Sequence, residues 1–128
     1  ANSDSILFAN VMTVSNYSNQ SLTAEVWLNA ELPEIGLVSQ KVSPANTALR
    51  PEMDPAVEIR YVQSTRETPR NGVNVFDRIV PPAATLVSEE DGKFILPPGG
   101  SYALYVKSPG VEIARVIVAF GWWEEPGR

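Results

Sequence analysis

The stretch Ile79–Trp123, which reads IVPPAATLVSEEDGKFILPPGGSYALYVKSPGVEIARVIVAFGWW, decides the fold class of this chain. Proline and glycine clusters divide it into four extended segments, with breaks at Pro81-Pro82, Glu90–Gly92, Pro97–Gly100 and Ser108–Gly110. Proline fixes φ and lacks an amide donor, and glycine accepts positive φ, so these clusters predict turns. Between the turns, β-branched and aromatic residues alternate with small or polar ones, as they do in half-buried strands. The stretch therefore predicts a β-meander, and it contains no catalytic motif.

The rest of the chain adds further strands. The segment Ile6–Val14 is apolar on both faces, which predicts a central strand or one covered by a neighbouring subunit. Leu22–Ala30 alternates cleanly, and Val73–Val80 follows a hairpin-type Asn-Gly pair. The last run, Val111–Trp123, is again apolar on both faces, so we expect it at the centre of a sheet or beneath another chain.

These segments together predict about eight to ten strands in one small domain. With little or no helix, that number indicates an all-β, antiparallel β-sandwich. A jelly-roll-like topology is favoured, and an immunoglobulin-like topology is the alternative. A chain of 128 residues with 44% hydrophobic content is expected to form a single domain over residues 1–128.

Residues 31–75 form a proline-rich, irregular insertion in this scheme. We expect short strands within 35–42 and 57–63, and long loops at 43–56 and 64–72. Long loops in a compact domain are often functional or bound to a partner. Three arginines lie in or beside this stretch and could pair with carboxylates of a neighbouring copy, or simply be solvated: Arg60, Arg66 and Arg70.

The chain has no cysteine and no histidine. Disulfides, thiolate nucleophiles, histidine bases and most zinc sites are therefore excluded. Four acidic clusters occur, but none has the spacing of an EF-hand. We therefore expect a non-enzymatic protein without catalytic, cofactor-binding or metal-binding residues. A hydrolase or lyase that works with two carboxylates is the one enzymatic alternative left open.

Charge and hydropathy limit the partners. A net charge of −5 gives no general attraction to nucleic acid. No apolar run reaches 18 residues, so no membrane span is predicted, and no signal-peptide pattern opens the chain. The reversal at Ser15–Ser21 contains two glycosylation-type triplets, at Asn16 and Asn19, which we interpret as polar residues of a hairpin.

The tryptophans are the clearest candidates for contact residues. Trp27 lies on the otherwise polar face of its strand, so it is either a core residue of a second layer or an interface anchor. Adjacent Trp122 and Trp123 must point to opposite faces of a strand, which places one in the core and the other toward a partner or solvent. The full set of predicted interface residues is Trp27, Arg60, Arg66, Arg70, Trp122 and Trp123.

Several of these segments resemble small all-β virion proteins of tailed phages, the head decoration (cement) or tail-associated subunits. The resemblance covers residues 6–30, with VMTVSNYSNQSLTAEVWL, and residues 76–125. Its motifs are Val80-Pro81 followed by Leu86, and Gly92-Lys93 followed by Leu96. A third block of that pattern contains Asp, which the corresponding segment 99–102 lacks.

The resemblance implies a capsid decoration or cement subunit that stabilises the shell by clamping neighbouring capsid proteins. Its partners would be the major capsid protein or other virion subunits, and its own copies would form a homo-oligomer, with a trimer favoured. The protein would be made in the cytoplasm of the cell that the bacteriophage infects, and it would be located on the capsid surface of the virion. The alternative is a tail-associated module that binds a receptor or glycan.

Overall fold

The computed structural model describes residues 5–32, 34–43, 56–63, 67–110 and 113–126. Eight strands occur in these ranges: β1 (Ser5–Asn16), β2 (Leu22–Leu28), β3 (Leu37–Val38), β4 (Arg60–Tyr61), β5 (Val73–Val80), β6 (Thr85–Leu96), β7 (Tyr102–Lys107) and β8 (Val116–Pro126). The described ranges contain no helix, and so none long and apolar enough to cross a membrane. The prediction of an all-β sandwich is confirmed.

Two antiparallel sheets form the sandwich. One has the strand order β6-β1-β8, the other has the order β5-β2-β7, and β3 pairs with β4 separately. The central position predicted for the first strand is confirmed, because β1 pairs with strands on both sides. The central alternative for the last strand is wrong. Within the described ranges β8 pairs with β1 alone, so it lies at a sheet edge.

The predicted meander is also wrong. The connections β1–β2, β5–β6, β6–β7 and β7–β8 all cross from one sheet to the other, so the strands that they join are not hydrogen-bonded neighbours. Turn-forming residues show where the chain reverses. They do not show whether the next strand pairs in the same sheet, because that depends on which apolar faces meet across the sandwich.

The same correction applies to the reversal after β1, which is a crossover and not a hairpin. The side chain of Asn16, 2% exposed, fixes it. Its Nδ2 donates to the carbonyls of Gln20 and Val80, each at 2.9 Å, and its Oδ1 accepts from the amide of Ser18 at 2.8 Å. Asn16 is therefore a structural residue that ties the crossover to the end of β5, and its buried amide is no glycan acceptor.

The core lies between the sheets and consists of inward residues from alternate strand positions. One buried cluster contains Leu7, Ala9 and Leu96, and a second contains Met12, Val14 and Val26. Tyr102 on β7 packs against both clusters. Full burial of such an aliphatic side chain contributes about 1.5–3 kcal/mol, so the two clusters supply much of the force that holds the sheets together.

Strand β6 differs from its predicted form. A turn was expected at Glu90–Gly92 between two strands, but one strand runs through it. The pairing with β1 shifts register there, so that residues 90–93 lie opposite the single residue Asn10. Asp91 and Gly92 adopt positive φ, 50° and 79°. The turn chemistry is thus present, but it produces a bulge inside a continuous strand.

The insertion at residues 31–75 contains less regular structure than expected. The strands expected within 35–42 and 57–63 shorten to the two-residue strands β3 and β4, which pair with each other. Much of the two expected loops, at residues 44–55 and 64–66, lies outside the described residues. That this segment is an insertion in a single domain stays a prediction.

Candidate functional site

The outward face of the β6-β1-β8 sheet carries a group of exposed apolar side chains. Strand alternation places them there, because each is next to an inward residue that packs in the core. This surface is called the outer face below, and its apolar members are Phe8, Val87, Ile95, Ile117 and Trp123. Both edge strands and the central strand of the sheet contribute to it.

A row of three apolar residues crosses the outer face from edge to edge. Phe8 on the central strand is the register partner of Ile95 on β6 and of Trp123 on β8. The rings of Phe8 and Trp123 are stacked, with centroids 5.4 Å apart and an interplanar angle of 5°. The row is therefore continuous across all three strands.

A glycine makes room for this row. A Cβ on Gly92 would come within 2.5 Å of Cη2 of Trp123, so the indole lies directly over the backbone of the β6 bulge. The positive φ of Gly92 suits glycine at the same position. The bulge and the exposed tryptophan thus form one local unit.

The outer face leaves much of this apolar area in contact with solvent. Ile95 is 54% exposed, Ile117 is 65% exposed and Trp123 is 42% exposed. Its polar members are few near the row, where Glu125 accepts a hydrogen bond from Nε1 of Trp123 at 3.2 Å. Ile117 lies apart from the row, in register with Ser15, whereas Ile95, Phe8 and Trp123 are contiguous. Single exposed apolar residues are normal, but a contiguous group of them marks an interaction surface.

The prediction that Trp122 and Trp123 point to opposite faces is confirmed. Trp122 packs against the cluster of Leu7, Ala9 and Leu96, and its Nε1 donates to Oε2 of Glu124 at 2.9 Å. Trp123 is the exposed member of the pair. Only Trp123 of the two therefore lies on the outer face.

Trp27 lies on the outward face of the other sheet. Its Nε1 donates to Oε1 of Glu25 at 3.0 Å, and Oε2 of Glu25 pairs with Nζ of Lys107 at 2.9 Å. The hydrogen bond to Glu25 and the charge of that carboxylate raise the pKa of Lys107. Trp27 is therefore outside the core between the sheets, in a polar network, and its role as an interface anchor stays a prediction.

The arginines do not join the outer face in the described part of the chain. Arg60 pairs with Glu58 two residues away, at 3.1 Å, in an exposed salt bridge of the kind that adds little stability. The backbone of Arg70 bridges that of Glu31, with N···O distances of 2.7 and 3.0 Å. Arg66 lies outside the described residues.

Sequence reasoning did not select Phe8, Val87, Ile95 or Ile117 as contact residues. The available signal was the apolar character of both faces of the first and last strands. That pattern indicates that each of these strands has a second apolar face outside the core. It does not show which neighbouring strands extend the same surface. Strand register supplies that information.

Metal-ligand geometry and comparison with other proteins add little about the function of this surface. Within the described ranges, no three acidic side chains come together as a possible metal site. No curated protein and no solved structure matches the chain. A family model matches residues 1–128, the whole length of the sequence. The chain accordingly belongs to DUF6143, a family of unknown function.

Proposed function

We propose that this protein is a non-enzymatic assembly subunit that buries the outer face of its β6-β1-β8 sheet against another protein subunit. The observation that supports the proposal is the continuous row of Ile95, Phe8 and Trp123 across that face. Aromatic residues that are already held in place by stacking bury large area at little cost in side-chain entropy. An interface centred on the row would therefore bury a large apolar area with little loss of side-chain entropy.

The specific form of the proposal comes from the resemblance to tailed-phage virion proteins. In that form the subunit is a capsid decoration or cement protein, its copies form a homotrimer, and the outer face contacts the major capsid protein or a second copy. Repeated contacts on a symmetric lattice add avidity, so each individual contact need only be of modest affinity.

A pair of matched substitutions tests the role of the outer face. Ile95→Lys places a charge on the outer face, and Ile79→Lys places the same charge on an exposed isoleucine of the other sheet, on β5. We expect the wild type and Ile79→Lys to self-associate in sedimentation velocity and to bind capsids that lack the protein. Ile95→Lys should remain folded and fail in both assays.

Two results would overturn the proposal. One is a wild-type protein that is monomeric and does not bind bare capsids. The other is equal behaviour of the two lysine variants, because the outer face would then have no special role.

A tail-associated module that binds a glycan is the second candidate, because Trp123 is exposed beside the carboxylate of Glu125. Exposed aromatic rings next to carboxylates can bind sugars by stacking and hydrogen bonding. Binding on a glycan array that is lost in Trp123→Ala, without any binding to capsids, would favour this candidate.

A further inference from the structure

A cavity of about 190 Å³ extends into the sandwich, on the other side of the β6-β1-β8 sheet from the outer face, and the exposed residues Glu58 and Arg60 also line it. Its apolar walls include Leu7, Ala9, Leu96 and Phe120, which project from three different strands. A cavity of about 150 Å³ with aliphatic and aromatic walls is large enough to bind benzene. The space therefore suits one six-membered ring or a short alkyl chain.

One wall of the cavity carries a buried carboxylate. Glu90 is 2% exposed, and its side chain enters the interior in the same alternation that places Leu86 and Ser88 on the inward side of β6. Its Oε2 accepts hydrogen bonds from the hydroxyls of Tyr102, at 2.7 Å, and Ser88, at 3.1 Å. Both hydroxyl bonds end on Oε2, and no described residue donates to Oε1, which leaves Oε1 as an acceptor for a guest.

No cation of the described residues forms a salt bridge with this carboxylate. Arg60 also lines the cavity, but its guanidinium pairs with Glu58, and Lys107 pairs with Glu25. A buried carboxylate without a cation is unfavourable, and two neutral hydroxyls compensate it only in part. A guest that brings a positive charge would complete the site, whereas an anionic guest would be repelled.

We propose that this cavity is a binding site for a small apolar amine, with the ammonium group on Glu90 and the ring or alkyl part among the apolar walls. An apolar pocket with a few convergent polar groups is the usual form of a small-molecule site. The ammonium donates a charge-assisted hydrogen bond to the carboxylate, and the apolar part fills space beside Ala9 and Leu96.

Three probes of similar shape test the site by calorimetric titration: benzylamine, benzyl alcohol and benzoate. We expect saturable binding of benzylamine at one site, binding of benzyl alcohol about tenfold weaker, and no binding of benzoate. Glu90→Gln keeps the size of the side chain and removes its charge. In this variant benzylamine should lose its tenfold advantage, while the affinity for benzyl alcohol stays the same.

The location of the guest is tested separately by intermolecular NOEs in the wild type. The ring protons of benzylamine should give NOEs to the methyl groups of Leu7 and Leu96. Ala9→Leu, which fills the cavity, should abolish binding, and Trp123→Ala on the outer face should not affect it. The proposal is overturned if benzylamine does not bind, if its NOEs go elsewhere, or if Glu90→Gln binds it as tightly as the wild type.

Discussion

At the residue scale, the hydrogen bond between Tyr102 and Glu90 has the most direct energetic consequence. Burial, then the hydrogen bond to Glu90 and the charge of that carboxylate, raise the pKa of Tyr102 far above its ordinary value of 10.0. Tyr102 also packs against both core clusters, and its ring makes an edge-to-face contact with Phe120, with centroids 5.6 Å apart. The hydroxyl therefore stays protonated at pH values where the unfolded chain has lost that proton.

Stability at high pH should depend in part on the Tyr102 hydroxyl. Because the pKa is raised in the folded state, its contribution is complete below pH 10 and falls as the pH rises above 10. The wild type should lose about 1.4 kcal/mol per pH unit in that range through Tyr102 alone. Tyr102→Phe should be less stable at pH 7, by about 1–3 kcal/mol, because Glu90 loses a hydrogen bond.

Urea unfolding of both proteins between pH 8 and pH 11 measures the effect. The difference in unfolding free energy should shrink above pH 10, since the variant has no proton to release at this position. Parallel stability curves for the two proteins over the whole range would show that Tyr102 does not hold its proton more tightly in the folded state.

At the element scale, strand β6 performs two tasks because of its bulge. Glu90 points into the interior, and two residues later the bulge places Gly92 beneath the indole of Trp123 on the outer face. A regular strand could not do both. In a regular strand residues 90 and 92 would share one face, and a residue with a Cβ at position 92 would meet the indole.

Two alanine substitutions separate steric contact from backbone strain at this bulge. Gly92 and Gly99 have the same φ, 79°, but a Cβ at Gly99 would have no atom within 4 Å. Gly99→Ala therefore measures the cost of alanine at positive φ, about 1 kcal/mol. Gly92→Ala should cost at least about 1 kcal/mol more, because the indole must also move off Phe8.

Thermal unfolding gives the two free energies, and the near-ultraviolet circular dichroism of the tryptophans reports the displacement. We expect the tryptophan signal to change in Gly92→Ala and to be unaltered in Gly99→Ala. Equal destabilisation with an unchanged signal in both variants would mean that the indole does not rest on Gly92.

At the scale of the whole molecule, the acidic net charge and the apolar outer face act in opposite directions during assembly. Each copy carries a net charge of −5, so copies repel one another at low salt. Burial of the outer face is not weakened by screening. Salt should therefore favour association of the protein with itself.

The prediction is an association constant at about 1 M NaCl that equals or exceeds the constant at about 0.05 M, since the Debye length falls to about 3 Å at 1 M. Sedimentation equilibrium at the two salt concentrations measures it, with Ile95→Lys as the non-associating control. A large loss of association at high salt would instead indicate an ionic interface, in which Arg60 and Arg70 become the contact candidates.

Much of the fold could be predicted from local patterns in the sequence. Strict alternation over Leu22–Leu28 and the apolar first strand follow from the two-residue period of a strand, which depends only on the backbone. The opposite orientations of Trp122 and Trp123 follow from the same period. For this reason the sandwich class, the central position of β1 and the exposed tryptophan were all accessible without coordinates.

The sequence by itself determined the all-β class, the inward and outward faces of the strands and the absence of cysteine and histidine chemistry. Only the tertiary structure decided that the successive strands β5 to β8 alternate between the two sheets, that Ile95 and Trp123 flank Phe8, and that Glu90 enters a cavity. Those features depend on pairing between residues about 85–115 positions apart, where many registers satisfy the same local pattern. Packing of both sheets at once selects one register, and this selection creates the outer face and the cavity.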